Sequence, residues 1–251
     1  IEVIDGLKII ISTENTVYNL NCLSTEDYPN INLETVNNPI VLNSSILKEL
    51  FSQTLFAIST QESRPLLTGL NIRINGNVME CVTTDSYRLA KKTIILDADY
   101  GTYDIVVPGK NIQEFDKILT DEEDVKINLF SNKLLFEYNG YLFQTSLLSG
   151  QYPNTSNLIP TDFEYILTTN LNNFYSAIDR AALLTQNKDK NLINMKTVGN
   201  ELVITSFASE IGKSEESVAI SKNNDNDIAI SYSAKYMLDA LKTLSDDELI
   251  I

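Results

Sequence analysis

The sequence predicts an α+β fold of tandem repeated domains, each a strand, a helix and three strands taken twice. Three observations predict it. Between residues 36 and 150 the order strand, helix, three strands runs through twice. Short signatures then recur at nearly one offset, 123 to 125 residues later: Tyr28-Pro29-Asn30 as Tyr152-Pro153-Asn154, Thr60-Gln61 as Thr185-Gln186, Gly76-Asn77 as Gly199-Asn200, and Lys110 as Lys235. A fixed period of that kind is the mark of repeated structural units. Finally, 251 residues with 43% apolar and 21% charged content suit a soluble, folded chain of two ordinary domains or one large one.

The elements follow in order. Leu7 to Ser12 and Thr16 to Leu23 read as strands, and Ser24 to Glu34 as a loop or linker. A short strand, Pro39 to Leu42, leads into a helix from Ser44 to Ser59, whose Leu47, Leu50, Phe51, Leu55 and Ile58 keep helical spacing. Asn43 or Ser44 can cap it. Strands are expected at Leu66 to Ile74, Val78 to Thr84 and Arg88 to Leu96, with a hairpin turn at Asn75-Gly76-Asn77. Tyr103 to Val107 is the next strand. Pro108, which lacks a donor the first helical turn does not need, opens a second helix to Leu119 with Ile112, Phe115, Ile118 and Leu119 as its apolar face. Val125 to Phe130, Lys133 to Tyr138 and Tyr141 to Leu148 complete the unit, turning at Ser131-Asn132 and Asn139-Gly140. The later copy has two amphipathic helices, one holding Leu171, Phe174, Tyr175, Ile178 and Ala182, the other Met237, Leu238, Leu241 and Leu244. The domains read as 1–34, the tail of a first; 35–158, a complete second; and 159–251, a third that stops early. Both ends are expected to be truncations, because a domain cut there exposes strand edges.

Composition excludes several chemistries. The chain has no histidine, which removes the commonest general base and every Ser-His-Asp arrangement. Two cysteines without histidine make a poor zinc site, and Cys22 and Cys81 read as free buried thiols of a reducing compartment. The nine glycines are scattered singly, so no phosphate loop is present. No cofactor is expected. No apolar run reaches the length of a membrane span, and no signal peptide is visible at Ile1-Glu2-Val3-Ile4-Asp5. A net charge of −15 argues against wrapping nucleic acid over the whole surface, though a local basic lining remains compatible with it.

The stretch that organises the chain is Cys81-Val82-Thr83-Thr84-Asp85-Ser86-Tyr87-Arg88-Leu89-Ala90. It runs from a strand end into a surface connection, where rigid sheets hold binding residues. Taken alone, these ten residues favour a plain loop whose Asp85 and Arg88 pair with each other. At offset 125, Asp85 to Leu89 faces Glu210-Ile211-Gly212-Lys213-Ser214: acid and base recur, Tyr87 and Leu89 do not.

Thr84-Asp85-Ser86-Tyr87-Arg88-Leu89-Ala90 in the middle repeat resembles the bacterial β sliding clamp family, the β subunit of DNA polymerase III. So do Leu67-Thr68-Gly69, Val107-Pro108-Gly109-Lys110 and Ser149-Gly150-Gln151-Tyr152-Pro153-Asn154 ahead of Leu158-Ile159-Pro160. The resemblance covers essentially the whole chain. It implies tandem DNA-clamp domains in a cytoplasmic bacterial protein, a non-catalytic processivity factor that forms a homodimeric ring with helices lining a pore and sheets outside. The pore holds double-stranded DNA without reading its sequence. Lys48, Gln61, Arg64, Lys110, Lys117 and Lys235 are the implied DNA contacts; Arg180 and Lys242 add charge to the same helix faces. Glu49, Glu114, Asp116, Asp179 and Asp239 share those helices, so ordinary solubilising charge remains an alternative.

The resemblance also implies a pocket between second and third domains that takes a short motif from the replicative polymerase, the clamp loader and repair proteins. Matched by motif, it is formed by Leu67, Thr84, Ser86, Tyr87, Arg88, Leu89, Pro153 and Leu158, an apolar groove with few polar groups. Ser86 and Tyr87 stand where the family pattern has Gly and His, and Asn157 replaces a basic residue. The other readings open at this point are a β-rich secreted or surface module and a carboxylate-based hydrolase.

Overall fold

The computed structural model describes residues 1–4, 7–120, 122–185, 191–208 and 212–251. Gln186, Glu210 and Ile211, which belong to the repeated signatures, and Asp5 at the start lie outside them. By contacts the chain forms two compact units, Ile1–Thr35 and Val36–Ile251. The first is an antiparallel sheet of β1 (Glu2–Ile4), β2 (Lys8–Ser12) and β3 (Val17–Asn21), followed by a 3-10 turn at Thr25–Asp27. Cys22, expected to be buried, is only half-buried, because it stands just past the end of β3.

In the second unit β4 (Ile40–Asn43) feeds α1 (Ser44–Leu55), and Asn43 caps the helix by accepting from the Ser45 N–H. Next come β5 (Gly69–Asn75), β6 (Val78–Thr84), β7 (Leu89–Ile95), β8 (Thr102–Pro108) and α2 (Gly109–Asp116). β9 (Asp124–Leu129), β10 (Lys133–Tyr138) and β11 (Tyr141–Ser146) follow. They make two antiparallel four-stranded sheets, ordered β7-β6-β5-β8 and β11-β10-β9-β4. Both helices bury their apolar stripes in one core: Leu47, Leu50 and Phe51 of α1 and Ile112 and Phe115 of α2 meet Leu70, Ile72 and Ile74 of β5. Phe115 stacks on Phe136, ring centroids 4.1 Å apart.

The pattern then repeats as β12 (Leu167–Asn170), α3 (Leu171–Ala182), β13 (Leu192–Val198), β14 (Glu201–Ala208), β15 (Gly212–Lys222), β16 (Ala229–Ser233), α4 (Ala234–Leu241) and β17 (Glu248–Ile250). Here the sheet is continuous, in the order β16-β13-β14-β15-β12-β17, because the eleven-residue β15 pairs with both β14 and β12. A second core gathers Phe174, Ile178, Met195, Ile204 and Leu238. The repeat read from sequence is repeated in structure: α1 and α3 have twelve residues each, α2 and α4 eight, and Lys110 and Lys235 are each the second residue of their helix. Gly76-Asn77 and Gly199-Asn200 are both two-residue hairpin loops whose glycine takes a positive φ, 62° and 58°.

Several expected boundaries shift. α1 stops at Leu55, short of Ser59, because Ala57 and Ile58 turn back on Thr54 and Leu55 and Ser59 N–H donates to the Leu67 carbonyl. Ile58 keeps helical spacing but packs from that turn. α2 ends at Asp116, as Ile118 and Leu119 close tighter three-residue bonds. Pro108 ends β8 and precedes the first turn of α2 instead of lying within it. Leu66 to Thr68 is not strand but a 3-10 turn opened by Pro65. β5 begins at Gly69, where a Cβ would sit 2.6 Å from Val106 Cγ1 and 2.8 Å from the Val107 carbonyl. Leu244 lies past α4.

Candidate peptide-binding face and helix layer

Strand alternation divides the sheet β7-β6-β5-β8 into two faces. Leu70, Ile72, Ile74, Met79 and Cys81 turn toward α1 and α2, into the main core. On the opposite face Val82 and Val106 join Leu67 and Tyr152 in a separate buried cluster, with Leu66, Leu89 and Leu148 packed against it. The segment after β11 lies on this outer face. The Tyr152 hydroxyl accepts from the Thr84 N–H at 3.1 Å, and Arg73 donates to the Pro153 carbonyl at 3.3 Å. Burial pushes the Tyr152 hydroxyl up to about 12. Leu67, Thr84 and Leu89 are thus brought together, with Leu67 6% exposed. Pro153 is exposed at the rim, and Leu158, outside the cluster, is 63% exposed.

The Asp85–Arg88 turn is tightly specified. The Asp85 carboxylate accepts from the backbone of Tyr87 and Arg88 at 2.9 and 3.0 Å, and the Thr84 hydroxyl donates to the Arg88 carbonyl at 2.7 Å. Ser86 takes φ 78°, a conformation natural to glycine, and its hydroxyl accepts from Arg64 at 2.8 Å. Tyr87 projects outward, 73% exposed. Arg88 does not share its face. It has the parity of Ala90 and Lys92, which face the helices, so it enters the helix layer while Leu89 enters the outer cluster. There it pairs with Asp85 at 3.1 Å, as read from the ten residues alone, and also with Asp239 of α4 at 2.7 Å. Its guanidinium lies 4.4 Å from the Tyr236 ring centre and 5.5 Å from that of Phe56.

The helices pair within each repeat. α1 packs on α2 and α3 on α4. α1 meets the segment just past α4 through Gln53 and the Thr243 carbonyl, 3.3 Å apart, and the Asp85–Arg88 turn meets α4 through Asp239. A cavity of about 680 Å³ opens between them, lined by Phe56, Ser59, Glu62, Lys110, Lys235 and Asp239 among others. The implied DNA contacts are engaged to different degrees. Lys48 donates to the Leu119 carbonyl at 2.8 Å, Lys117 pairs with Glu114 at 2.6 Å, and Lys235 with Asp239 at 2.9 Å. Gln61 and Arg64 lie not on a helix but in the connection after α1. Lys110 is exposed and, among the described residues, carries no ion pair. Two carboxylates do converge, Asp85 and Asp239, but they clasp Arg88 between them. Burial pushes the Asp239 carboxyl up, and hydrogen bonds from Lys235 and Arg88 outweigh it, leaving it below the ordinary carboxylate range.

Residues 41–154 match the family model of the DNA polymerase III beta subunit central domain, and residues 156–251 that of its C-terminal domain. The solved DNA polymerase III beta chain of Streptococcus pneumoniae superposes with a TM-score of 0.89 at 31% identity, over 99% of this chain and 67% of that one. The chain belongs to the β sliding clamp family. Another solved member, the DNA polymerase sliding clamp of Bacillus subtilis, has a TM-score of 0.92 at 37% identity, covering 99% of this chain and 66% of that one. The beta sliding clamp of Staphylococcus epidermidis is 38% identical over 247 residues, and that of Staphylococcus aureus 36% over 246. The chain spans 65% of the length of these two curated relatives, and the match covers 98% of this chain.

Within this clamp fold the structure adds residues that motif reading missed. Tyr236 stands beside Tyr87, ring centroids 6.4 Å apart, and Asp239 and Phe56 hold Arg88. Tyr236 follows Lys235, whose recurrence points only to charge. Tyr152 is visible as part of the Tyr-Pro-Asn signature, but its place under Thr84 is not.

Proposed function

We propose that this chain acts within a DNA sliding clamp, a non-catalytic processivity factor. In this reading a homodimeric ring encircles duplex DNA and tethers the replicative polymerase. The observation that carries it is the duplicated helix pair, α1 with α2 and α3 with α4, each pair packed on antiparallel sheet. A repeated helix layer backed by antiparallel sheet suits a closed ring that touches phosphates without reading bases. The names of the relatives, beta sliding clamp and DNA polymerase III beta chain, support the same reading. The domain division 1–34, 35–158 and 159–251 belongs to it, as does a cytoplasmic location. No described helix is long and apolar enough to cross a membrane.

The outer apolar shelf is the proposed docking site for a short peptide from the polymerase, the clamp loader or repair proteins. Leu67 and Leu89 form its floor, Leu158 and Pro153 its rim, and Tyr87 with Thr84 and Ser86 its polar edge. Arg88 supports the shelf from behind. The test is retention of the full-length protein, after loading, on closed circular DNA compared with the same DNA linearised. A clamp is retained on the circle and slides off the ends; equal retention on both would sink the reading.

A further inference from the structure

We propose that Arg88 is a positioning residue: through Asp239 it fixes α4 against the Asp85–Arg88 turn, and so sets Tyr236 beside Tyr87 at the edge of the outer shelf. Its effect on peptide rests on the docking reading above. The argument begins with alternation. Tyr87 and Arg88 are neighbours on a turn whose backbone is pinned by Asp85, so one projects outward and the other into the helix layer. The Arg88 side chain, 15% exposed, there meets groups from three directions: Asp85 on its own turn, Phe56 just past α1, and Tyr236 and Asp239 on α4. The guanidinium is planar, so it can stack on the Tyr236 ring while its edges donate to two carboxylates at once; an ammonium cannot do both. Asp239, 26% exposed, also takes Lys235 on the same carboxylate oxygen.

The contact joins the two repeats, whose main cores are separate. The neighbouring link, Gln53 to the Thr243 carbonyl, is a longer bond between neutral groups at 3.3 Å and is weaker than a charge-assisted one. The Arg88 joint is therefore what registers α4 against the turn. Tyr236 is stacked on the same guanidinium, and its ring lies 6.4 Å from that of Tyr87. Releasing Asp239 frees Tyr236, and the edge of the shelf loses its shape although no residue under the peptide has changed.

The experiment uses the full-length protein with Asp239→Asn, Arg88→Lys and the double variant. Hydrogen exchange is followed in α4, and binding by fluorescence polarisation of a short fluorescein-labelled peptide with Leu and Phe anchors. Each single change should raise α4 exchange about tenfold, the scale of one lost charge-assisted hydrogen bond. The double variant should exceed neither single, since both remove one joint, and peptide affinity should fall in parallel. Additive or unchanged exchange overturns the joint. Coupled exchange with unchanged peptide affinity overturns the placement of Tyr236. Loss of binding in Arg88→Lys alone, with Asp239→Asn like wild type, shows that Arg88 touches the peptide itself and overturns the positioning role. A wild-type protein that binds no peptide would sink the docking reading instead, and the exchange cycle would still decide the joint.

Discussion

Leu67 and Leu158 are matched to one pocket by motif, yet the structure gives them opposite energetics, and replacing each by Ala should separate them. Leu67 is 6% exposed and packs with Val82, Val106 and Tyr152. Its truncation removes buried methyls and leaves a cavity that neighbours on a stiff sheet fill poorly, at a cost of about 2–3 kcal/mol. At roughly 2–4 °C per kcal/mol for a unit of this size, the melting temperature should fall by about 4–12 °C. Leu158 is 63% exposed, so its truncation costs little in the free protein. A docked peptide would cover the part still in water. Full burial of a leucine side chain contributes roughly 2 kcal/mol. The 63% still exposed therefore corresponds to about 1.3 kcal/mol. That is close to a ninefold loss of affinity. The assay pairs thermal melting with fluorescence polarisation of the labelled peptide, in the full-length protein. Leu158→Ala should move affinity without melting, and Leu67→Ala melting first. A Leu158→Ala variant that melts as low as Leu67→Ala, or binds peptide as tightly as wild type, would refute the assignment of the rim.

Three further outcomes follow from the same geometry. Lys110→Glu should reduce retention on DNA more than Lys235→Glu, because Asp239 already neutralises Lys235 while Lys110 has no ion pair among the described residues; removing one lysine–phosphate pairing should flatten the log–log salt dependence by about 0.9, and equal effects would count against it. Burial pushes the Cys81 thiol up from 9.0 to about 12, so the unfolded chain releases this proton first. Its contribution to stability should be intact below pH 9.0 and fall away as pH rises toward 12; Tyr152, also raised, acts in the same direction. Denaturant melts across that window should show the decline, and a Cys81→Ala variant a shallower one. Gly109→Ala would place a Cβ 2.7 Å from Ile58 Cδ1 and 2.8 Å from the Thr68 carbonyl. The side chain can move and the backbone oxygen cannot, so a loss of about 1–3 kcal/mol is expected, and unchanged melting would show that the loop after α1 yields.

The repeat, the order of elements and the periodicities that bury one stripe of each helix are legible from the residues alone. These are local properties. A Gly-Asn loop, an Asn cap or an amphipathic period acts over a few residues, and each can be read wherever it stands, as Gly76, Asn43 and Leu47-Leu50-Phe51 illustrate. The motif around Thr84 to Ala90 likewise points to the family and to most of the outer shelf. Helix ends are less legible, because Ser59 and Leu119 terminate their segments through bonds to Leu67 and Asp116 that no spacing announces.

Which way adjacent residues of the motif point, and what they meet, is settled by packing in three dimensions. Arg88 and Leu89 are neighbours in sequence, but a strand sends them to opposite faces, one into the helix layer and the other into the cluster of Leu67 and Tyr152. The partner of Arg88 lies 151 positions away on another repeat, and no local pattern encodes a pair formed when two separately folded cores come together. The same holds for the cations. The sequence counts lysines on helices, while the fold engages most of them with Leu119, Glu114 and Asp239 and leaves Lys110 at the cavity between the repeats. Charge that is already paired exchanges few counterions, so the physical meaning of each lysine is fixed by packing and not by composition.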